Sequence, residues 1–285
     1  MHFAICNELF ADWSIDETLG YVAALGYTGL ELAPYTLAPV ATALSRQQRL
    51  AVRASARAHG VALVGLHWLL AAPPGLHLTH PDAGVRAHTI RHMEGLIELA
   101  ADLEAPLLVL GSPRQRSALP PYTAAQATEI LGDGLRRLAG RAERAGVTLC
   151  LEPLPAAETD VITTLDEAIA VVEAVGSAAV RLILDVKSMC AEGKPLADLI
   201  TRGAPYTAHV HANDANRGGP GSGAVDFGPI LAQLAAVGYA GWVSVEVFDM
   251  AAGAQAIARQ SLEYLRSCLP TSLVAPASPA VGRQR

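Results

Sequence analysis

The sequence predicts a single-domain α/β protein, a (β/α)8 TIM barrel, and three observations carry that prediction. Short Val/Leu/Ile-rich runs alternate with helical patterns about eight times along the chain. Glycine follows helix after helix, at Gly26, Gly60, Gly146, Gly176 and Gly238, where a left-handed cap ends a helix without a Cβ clash. The chain of 285 residues suits one barrel of roughly 250 residues. Continuous apolar strands are typical of parallel sheets buried on both faces. Periodicity does not by itself show closure, so an open doubly wound sheet is the competing architecture. No GxGxxG follows the first strand, which argues against a dinucleotide-binding version of that sheet.

In order, the first strand is expected at His2 to Cys6. Ser14 and Glu17 form a capping-box pattern for a helix running to Leu25. Gly29 to Leu32 is the second strand, Leu44 to His59 a helix, and Val61 to His67 the third strand. An irregular, proline-containing connection follows, and Pro81-Asp82 opens a helix to about Leu103. Leu107 to Leu110 is the fourth strand, Thr123 to Ala145 a helix, and Val147 to Leu151 the fifth strand. Thr164, with Glu167 three residues on, caps a helix to Val175. Arg181 to Leu184 is the sixth strand, ending at Asp185, and a short helix follows Pro195. Thr207 to Val210 is the seventh strand, Phe227 to Val237 a helix, Trp242 to Val247 the eighth strand and Ala254 to Cys268 the last helix. The barrel therefore occupies 1–268, and 269–285, rich in Pro, Ala and Ser, reads as a flexible tail.

Composition bounds the function. Hydrophobic residues make up 51 % and charged residues 17 %, enough for a large core and against global disorder. The net charge of −6 and the lack of a dense Lys/Arg run argue against nucleic acid as a partner. The four cysteines, Cys6, Cys150, Cys190 and Cys268, form no CxxC pair, and read as idle thiols in a reducing compartment. The N-terminal residues lack a basic region followed by a long apolar one, and no window resembles a membrane span. A cytoplasmic protein with no membrane partner is the expectation.

Parallel barrels place their chemistry at the C-terminal ends of the strands. Glu152 follows the fifth strand, Asp185 the sixth and His211 the seventh, and Glu246 lies near the end of the eighth. Each lies about one strand–helix unit from the next. Any one of them alone reads as a cap, an ion-pair partner or a core histidine. Together they bring three carboxylates and one imidazole to one mouth. Mutual repulsion and desolvation make that set costly without a counter-charge, and one divalent cation supplies it. Oxygen-rich donors suit Mn²⁺, Mg²⁺, Co²⁺ or Fe²⁺ better than structural zinc. Glu8, Glu31, His67 and Trp68 end early strands and are candidates to line the pocket. Trp13 and Trp68 are candidates to stack on the apolar face of a ligand, although core packing is the commoner role for tryptophan. His77, His80, His88 and His92 are too irregularly spaced for a second site and read as surface or helix-face residues.

LEP at Leu151–Pro153, LDVK at Leu184–Lys187, the run from His209 to Phe227 and WVSVEVF at Trp242–Phe248 resemble the sugar phosphate isomerase/epimerase superfamily. These are xylose-isomerase-like TIM barrels that include ketose 3-epimerases of the D-tagatose/D-psicose type. The resemblance spans nearly the whole chain to Leu265. It implies that Glu152, Asp185, His211 and Glu246 bind one Mn²⁺, Mg²⁺ or Co²⁺, with Mn²⁺ the first choice. It also implies that Glu152 and Glu246 are an acid/base pair on opposite faces of a sugar. Arg217 and Glu158 match positions that hold substrate hydroxyls. The chain departs from the pattern at Ser188, where the epimerases carry a histidine three residues beyond the metal-binding aspartate. Lys187 beside it would substitute only with its side chain turned inward. Lys187, Ser188 and His67 complete the expected substrate contacts.

The expected activity is sugar isomerisation or epimerisation through an enediolate. A metal on the carbonyl oxygen would stabilise that species by several kcal/mol, and positioned carboxylates would move the proton. A metal-dependent lyase or dehydratase acting on a keto-sugar, cyclitol or 3-keto-glycoside is the alternative, motivated by Ser188. An abasic-site endonuclease shares the barrel, but the acidic charge and missing basic stripe speak against it. A non-enzymatic sugar-binding protein is disfavoured by the intact ligand set. The expected partner is a small-molecule sugar, and a homodimer or homotetramer is compatible with an isomerase of this size.

Overall fold

Eight short strands pair in parallel in the order β1 to β8, and β1 returns to β8 to close the barrel. They are β1 (His2–Cys6), β2 (Gly29–Leu32), β3 (Ala62–Leu66), β4 (Leu107–Leu110), β5 (Thr148–Leu151), β6 (Val180–Asp185), β7 (Thr207–Ala212) and β8 (Trp242–Val245). The computed structural model describes residues 1–269, so the expected tail lies almost entirely outside the described residues. Ten α-helices connect or cover the strands among those residues: α1 (Ile15–Leu25), α2 (Pro34–Leu37), α3 (Arg46–Ala58), α4 (Ala83–Leu103), α5 (Ala124–Ala145), α6 (Leu165–Val175), α7 (Val186–Ala191), α8 (Leu196–Gly203), α9 (Phe227–Ala236) and α10 (Ala254–Ser267). No helix of the structure is long and apolar enough to cross a membrane.

Local chemistry sets the helix ends. Ser14 accepts from the Glu17 N–H while Glu17 reaches back to Ser14, and Gly26 (φ 97°) closes α1 in the left-handed region. Gly146 and Gly176 close α5 and α6 in the same way. At α6 the expected capping box is only half made. Thr164 accepts from the Glu167 N–H, but the Glu167 carboxylate bonds the Thr163 N–H at 2.6 Å. Helix α3 begins at Arg46 rather than Leu44, because Ser45 is its cap and pairs with Gln48. Helix α7 has no sequence signal of its own; the Asp185 side chain caps it by accepting from the Ser188 N–H.

Alternation along the strands sorts side chains between two compartments. Phe3, Ile5, Leu30, Leu32, Leu149, Leu151, Leu182, Leu184, Val210, Ala212, Val243 and Val245 join the large apolar core. That places the intervening residues on the barrel interior: Cys6, Glu31, Cys150, Ile183, Asp185, His209, His211 and Ser244. Val109, Cys150 and Ile183 form a small separate apolar cluster. The interior is therefore apolar in part and becomes ionisable toward the C-terminal ends of the strands. Strand β7 continues through His211 to Ala212, further than its apolar run to Val210 suggests. All four cysteines are free, as the sequence indicated.

Candidate metal and active site

Strand register brings the four ionisable strand ends together. Asp185 on β6 is in register with His211 on β7. Ala212 is in register with Val245 on β8, which sets Glu246 one step beyond. The Glu152 N–H bonds the Leu110 carbonyl at 3.2 Å and so extends the β4–β5 ladder. One ligand atom each from Glu152, Asp185, His211 and Glu246 lies within 4.8 Å of the others, and all four residues are buried. Gly111, just past β4, leaves room for this set. A methyl group on its Cα would overlap Glu152 Oε2.

Charge makes the arrangement unfavourable by itself. Burial, then the neighbouring Asp185 and Glu246 carboxylates, pushes the Glu152 carboxyl up to about 8. Burial also raises Glu246, although His211 opposes it. These are the shifts expected of anions crowded together out of water. His211 faces Glu246 through Nδ1, 3.2 Å from Oε2, and that nitrogen has no hydrogen-bond partner. Its Nε2 lies 3.1 Å from Glu31 Oε1. The donor set and the unpartnered Nδ1 fit a single divalent cation with oxygen-rich coordination. An outer carboxylate on the far nitrogen of a ligating histidine is the usual way to fix ring and tautomer.

Several further residues support this set. Glu31 is wholly buried and engages two histidines, with Oε2 at 2.7 Å from His209 Nε2 and Oε1 on His211. The His209 and His211 charges hold the Glu31 carboxyl well below its usual range, against the opposing effect of burial. Asn213 donates to Asp185 Oδ2 at 2.6 Å and accepts from the Lys187 N–H at 2.9 Å. Asp214 accepts from the Gly223 and Val225 N–H groups, which folds the glycine-rich loop back on itself. Arg116 is fully buried, with Nη1 and Nη2 on the Leu110 and Ile162 carbonyls and Nε unpartnered. Burial lowers its guanidinium to about 10, partly offset by Glu152 and Glu158. Nothing in SPRQRS marks Arg116 as buried, whereas the His209-x-His211 spacing on a strand does signal a shared face.

The other expected contacts separate. Lys187 turns inward and is buried, with Nζ 2.7 Å from Glu158 Oε1 and 5.0 Å from the centre of the Phe248 ring. Burial opposes its charge, but Asp185, Glu158 and Glu152 outweigh that and raise the ammonium above the usual lysine range. Arg217 Cζ lies 5.1 Å from the same ring centre. Ser188 is buried, its N–H on Asp185 Oδ1 at 2.7 Å and its hydroxyl unpartnered. His67 sits in a closed layer, 1 % exposed, with Nε2 2.6 Å from Glu8 Oε2. Trp68 meets the edge of Phe248, whereas Trp13 packs against Phe10 and Tyr21. His77 and His92 are buried rather than superficial, because the loop and the core-facing side of α4 enclose them.

Comparison with known proteins agrees with this geometry. Residues 19–268 match the family described as the xylose isomerase-like TIM barrel. The chain is 27 % identical over 238 residues to a D-psicose 3-epimerase of Agrobacterium fabrum, covering 81 % of this chain and 78 % of that one. It is 30 % identical over 189 residues to a 3-dehydro-D-guloside 4-epimerase of Escherichia coli, covering 64 % and 72 %. The crystal structure of an E. coli 3-keto-D-glucoside 4-epimerase superposes with a TM-score of 0.82 at 25 % identity, covering 94 % of this chain and 100 % of that one. A D-psicose 3-epimerase crystallised with D-tagatose, from Clostridium cellulolyticum H10, shares the fold with a TM-score of 0.82 at 24 % identity, covering 94 % and 99 %. The chain belongs to the xylose isomerase-like TIM barrel family, and its relatives place it in the isomerase class of enzymes.

Proposed function

We propose that this protein is a divalent-metal-dependent sugar epimerase, with Glu152, Asp185, His211 and Glu246 as the metal ligands. The observation that carries the reading is the convergence of three carboxylates and an unpartnered His211 Nδ1 within 4.8 Å. Mn²⁺ is the first candidate, and Mg²⁺ or Co²⁺ would suit the same donors. When bound, the cation supplies charge neutralisation and Lewis acidity toward a substrate carbonyl.

Glu152 and Glu246 move the proton. They lie just past the ends of β5 and β8. One carboxylate takes the proton from the carbon beside the carbonyl, and the other delivers a proton to the opposite face, which inverts that carbon. Asp185, fixed by Asn213 and the Ser188 N–H, holds position rather than shuttling. Arg217, Glu158 and Lys187 form the outer wall that contacts substrate, with Ser188 and His67 behind it. The barrel unit would extend to residue 268, with 269–285 as an appended tail.

The test is hydrogen–deuterium exchange at the carbon next to the carbonyl, on Mn²⁺-loaded protein with a panel of ketoses. Exchange with epimer formation is expected. Lack of exchange across the panel would overturn the reading. Elimination from the same carbon is the second reading, favoured by Lys187 and Ser188 where the epimerases have histidine. Loss of water or of an aglycone, without epimer, would establish it.

A further inference from the structure

Lys187 occupies an unusual place for a lysine. It is 7 % exposed, and its only hydrogen-bond acceptor among the described residues is Glu158 Oε1 at 2.7 Å. An ammonium has three donors, and a buried ammonium needs acceptors for them. Two donors are therefore left over at the mouth. Its backbone is clamped as well, since the Lys187 N–H bonds Asn213 Oδ1 at 2.9 Å. The side chain is thus presented from a fixed point, two residues past Asp185 at the start of α7.

A second cation shares its aromatic neighbour. Arg217 Cζ and Lys187 Nζ lie 5.1 and 5.0 Å from the centre of the Phe248 ring. Arg217 takes a positive φ of 73°, a conformation costly for a side-chain-bearing residue. That turn is held because its carbonyl accepts from the Phe248 and Asp249 N–H groups, both at 2.9 Å. No carboxylate lies within ion-pair distance of Arg217 among the described residues. The β7 and β8 loops are thereby tied so that the guanidinium faces the same ring as the ammonium. Glu158 offsets one of the two positive charges.

We propose that Lys187 and Arg217 form a subsite for a carboxylate, and that the preferred substrate is a sugar acid. The proposal rests on the sugar-binding reading of the mouth and names the substrate class within it. Neutral sugars still bind, because a hydroxyl can accept from Lys187. A carboxylate gains a charge-assisted contact from each cation, and such contacts are roughly twice as strong as neutral ones.

Isothermal titration of Mn²⁺-loaded protein tests this independently of turnover. The probes are D-fructose, D-fructuronate and D-fructose 6-phosphate, with D-tagatose and D-tagaturonate as a second pair. The expected result is that at least one acid binds about tenfold or more tighter than its neutral sugar and than the phosphate. Lys187→Met and Arg217→Met should each remove about tenfold of that acid's affinity and cost the neutral sugar clearly less, so that the acid-to-neutral affinity ratio falls. The double variant Glu158→Gln/Lys187→Met avoids a lone Glu158 and carries the test if Lys187→Met does not fold. The proposal is overturned if neutral sugar or phosphate binds as tightly as both acids, or if losing Lys187 leaves acid affinity unchanged. An acid preference that depends on Lys187, without deuterium exchange, would support the subsite while overturning the epimerase reading.

Discussion

The two sides of the barrel mouth use the same residue types to opposite ends. On the β5–β8 side, Glu152, Asp185 and Glu246 share one imidazole, His211. The carboxylates from the β1–β3 side are matched by imidazoles: Glu8 bonds His67 from the end of β3, and Glu31 reaches across to His209 and His211 of β7. The matched set carries its own counter-charge. The other set carries excess negative charge, so it has a use for a cation. Acidic and imidazole groups in a barrel therefore do not by themselves indicate a metal; the imbalance between them does.

The strongest way to break the contrast is on the unmatched side. Glu152→Gln and Glu246→Gln should each lower deuterium exchange by about 10³-fold, with little loss of fold, as read by exchange rates and thermal melting. On the matched side, Glu31→Ala should leave two buried histidines without their anion and cost about 3–5 kcal/mol of stability, read by denaturant unfolding. Glu31→Gln keeps the volume and sharpens the contrast, because Glu31 serves both sides through His211. It should weaken Mn²⁺ binding about 10- to 100-fold, measured by metal titration.

Smaller still is the pH effect. The metal-free Glu152 carboxyl, raised to about 8 from 4.5, favours the folded state while protonated. That contribution is fully present below the unfolded value and is lost as pH rises toward about 8. Metal-free protein should lose stability across that window, whereas Mn²⁺-loaded protein should not. The Mn²⁺-induced rise in melting temperature should therefore grow from pH 5 to 8. At the outer surface, Asp166 pairs with Lys194 and Arg202 at 57 % exposure, and Asp166→Asn should change stability by under about 1 kcal/mol.

The barrel and the four converging strand ends were readable in the sequence, because continuous apolar runs and helix-ending glycines have local causes. The supporting layer was harder to read. Arg116 in SPRQRS looks like an ordinary solvated charge, and Glu31 in GLEL reads as a pocket-lining strand end with no local sign of its histidine partners; both environments depend on strands and loops distant in the chain. Helix α7 was missed because its cap, Asp185, was read only as a strand end and a candidate ligand. Lys187 was ambiguous for a related reason: whether it turns in or out depends on Glu158 and Phe248, from two other loops.

The clearance around Gly111 has a consequence for how this sequence can vary. Glu152 Oε2 fills the volume that any side chain at position 111 would need, and the Glu152 N–H is tied to the residue just before it, Leu110. Positions 111 and 152 are therefore linked in inheritance. In a library that randomises the turn after β4, a larger residue at 111 should leave the barrel folded but push the Glu152 carboxylate out of the ligand set, so Mn²⁺ affinity falls while stability does not.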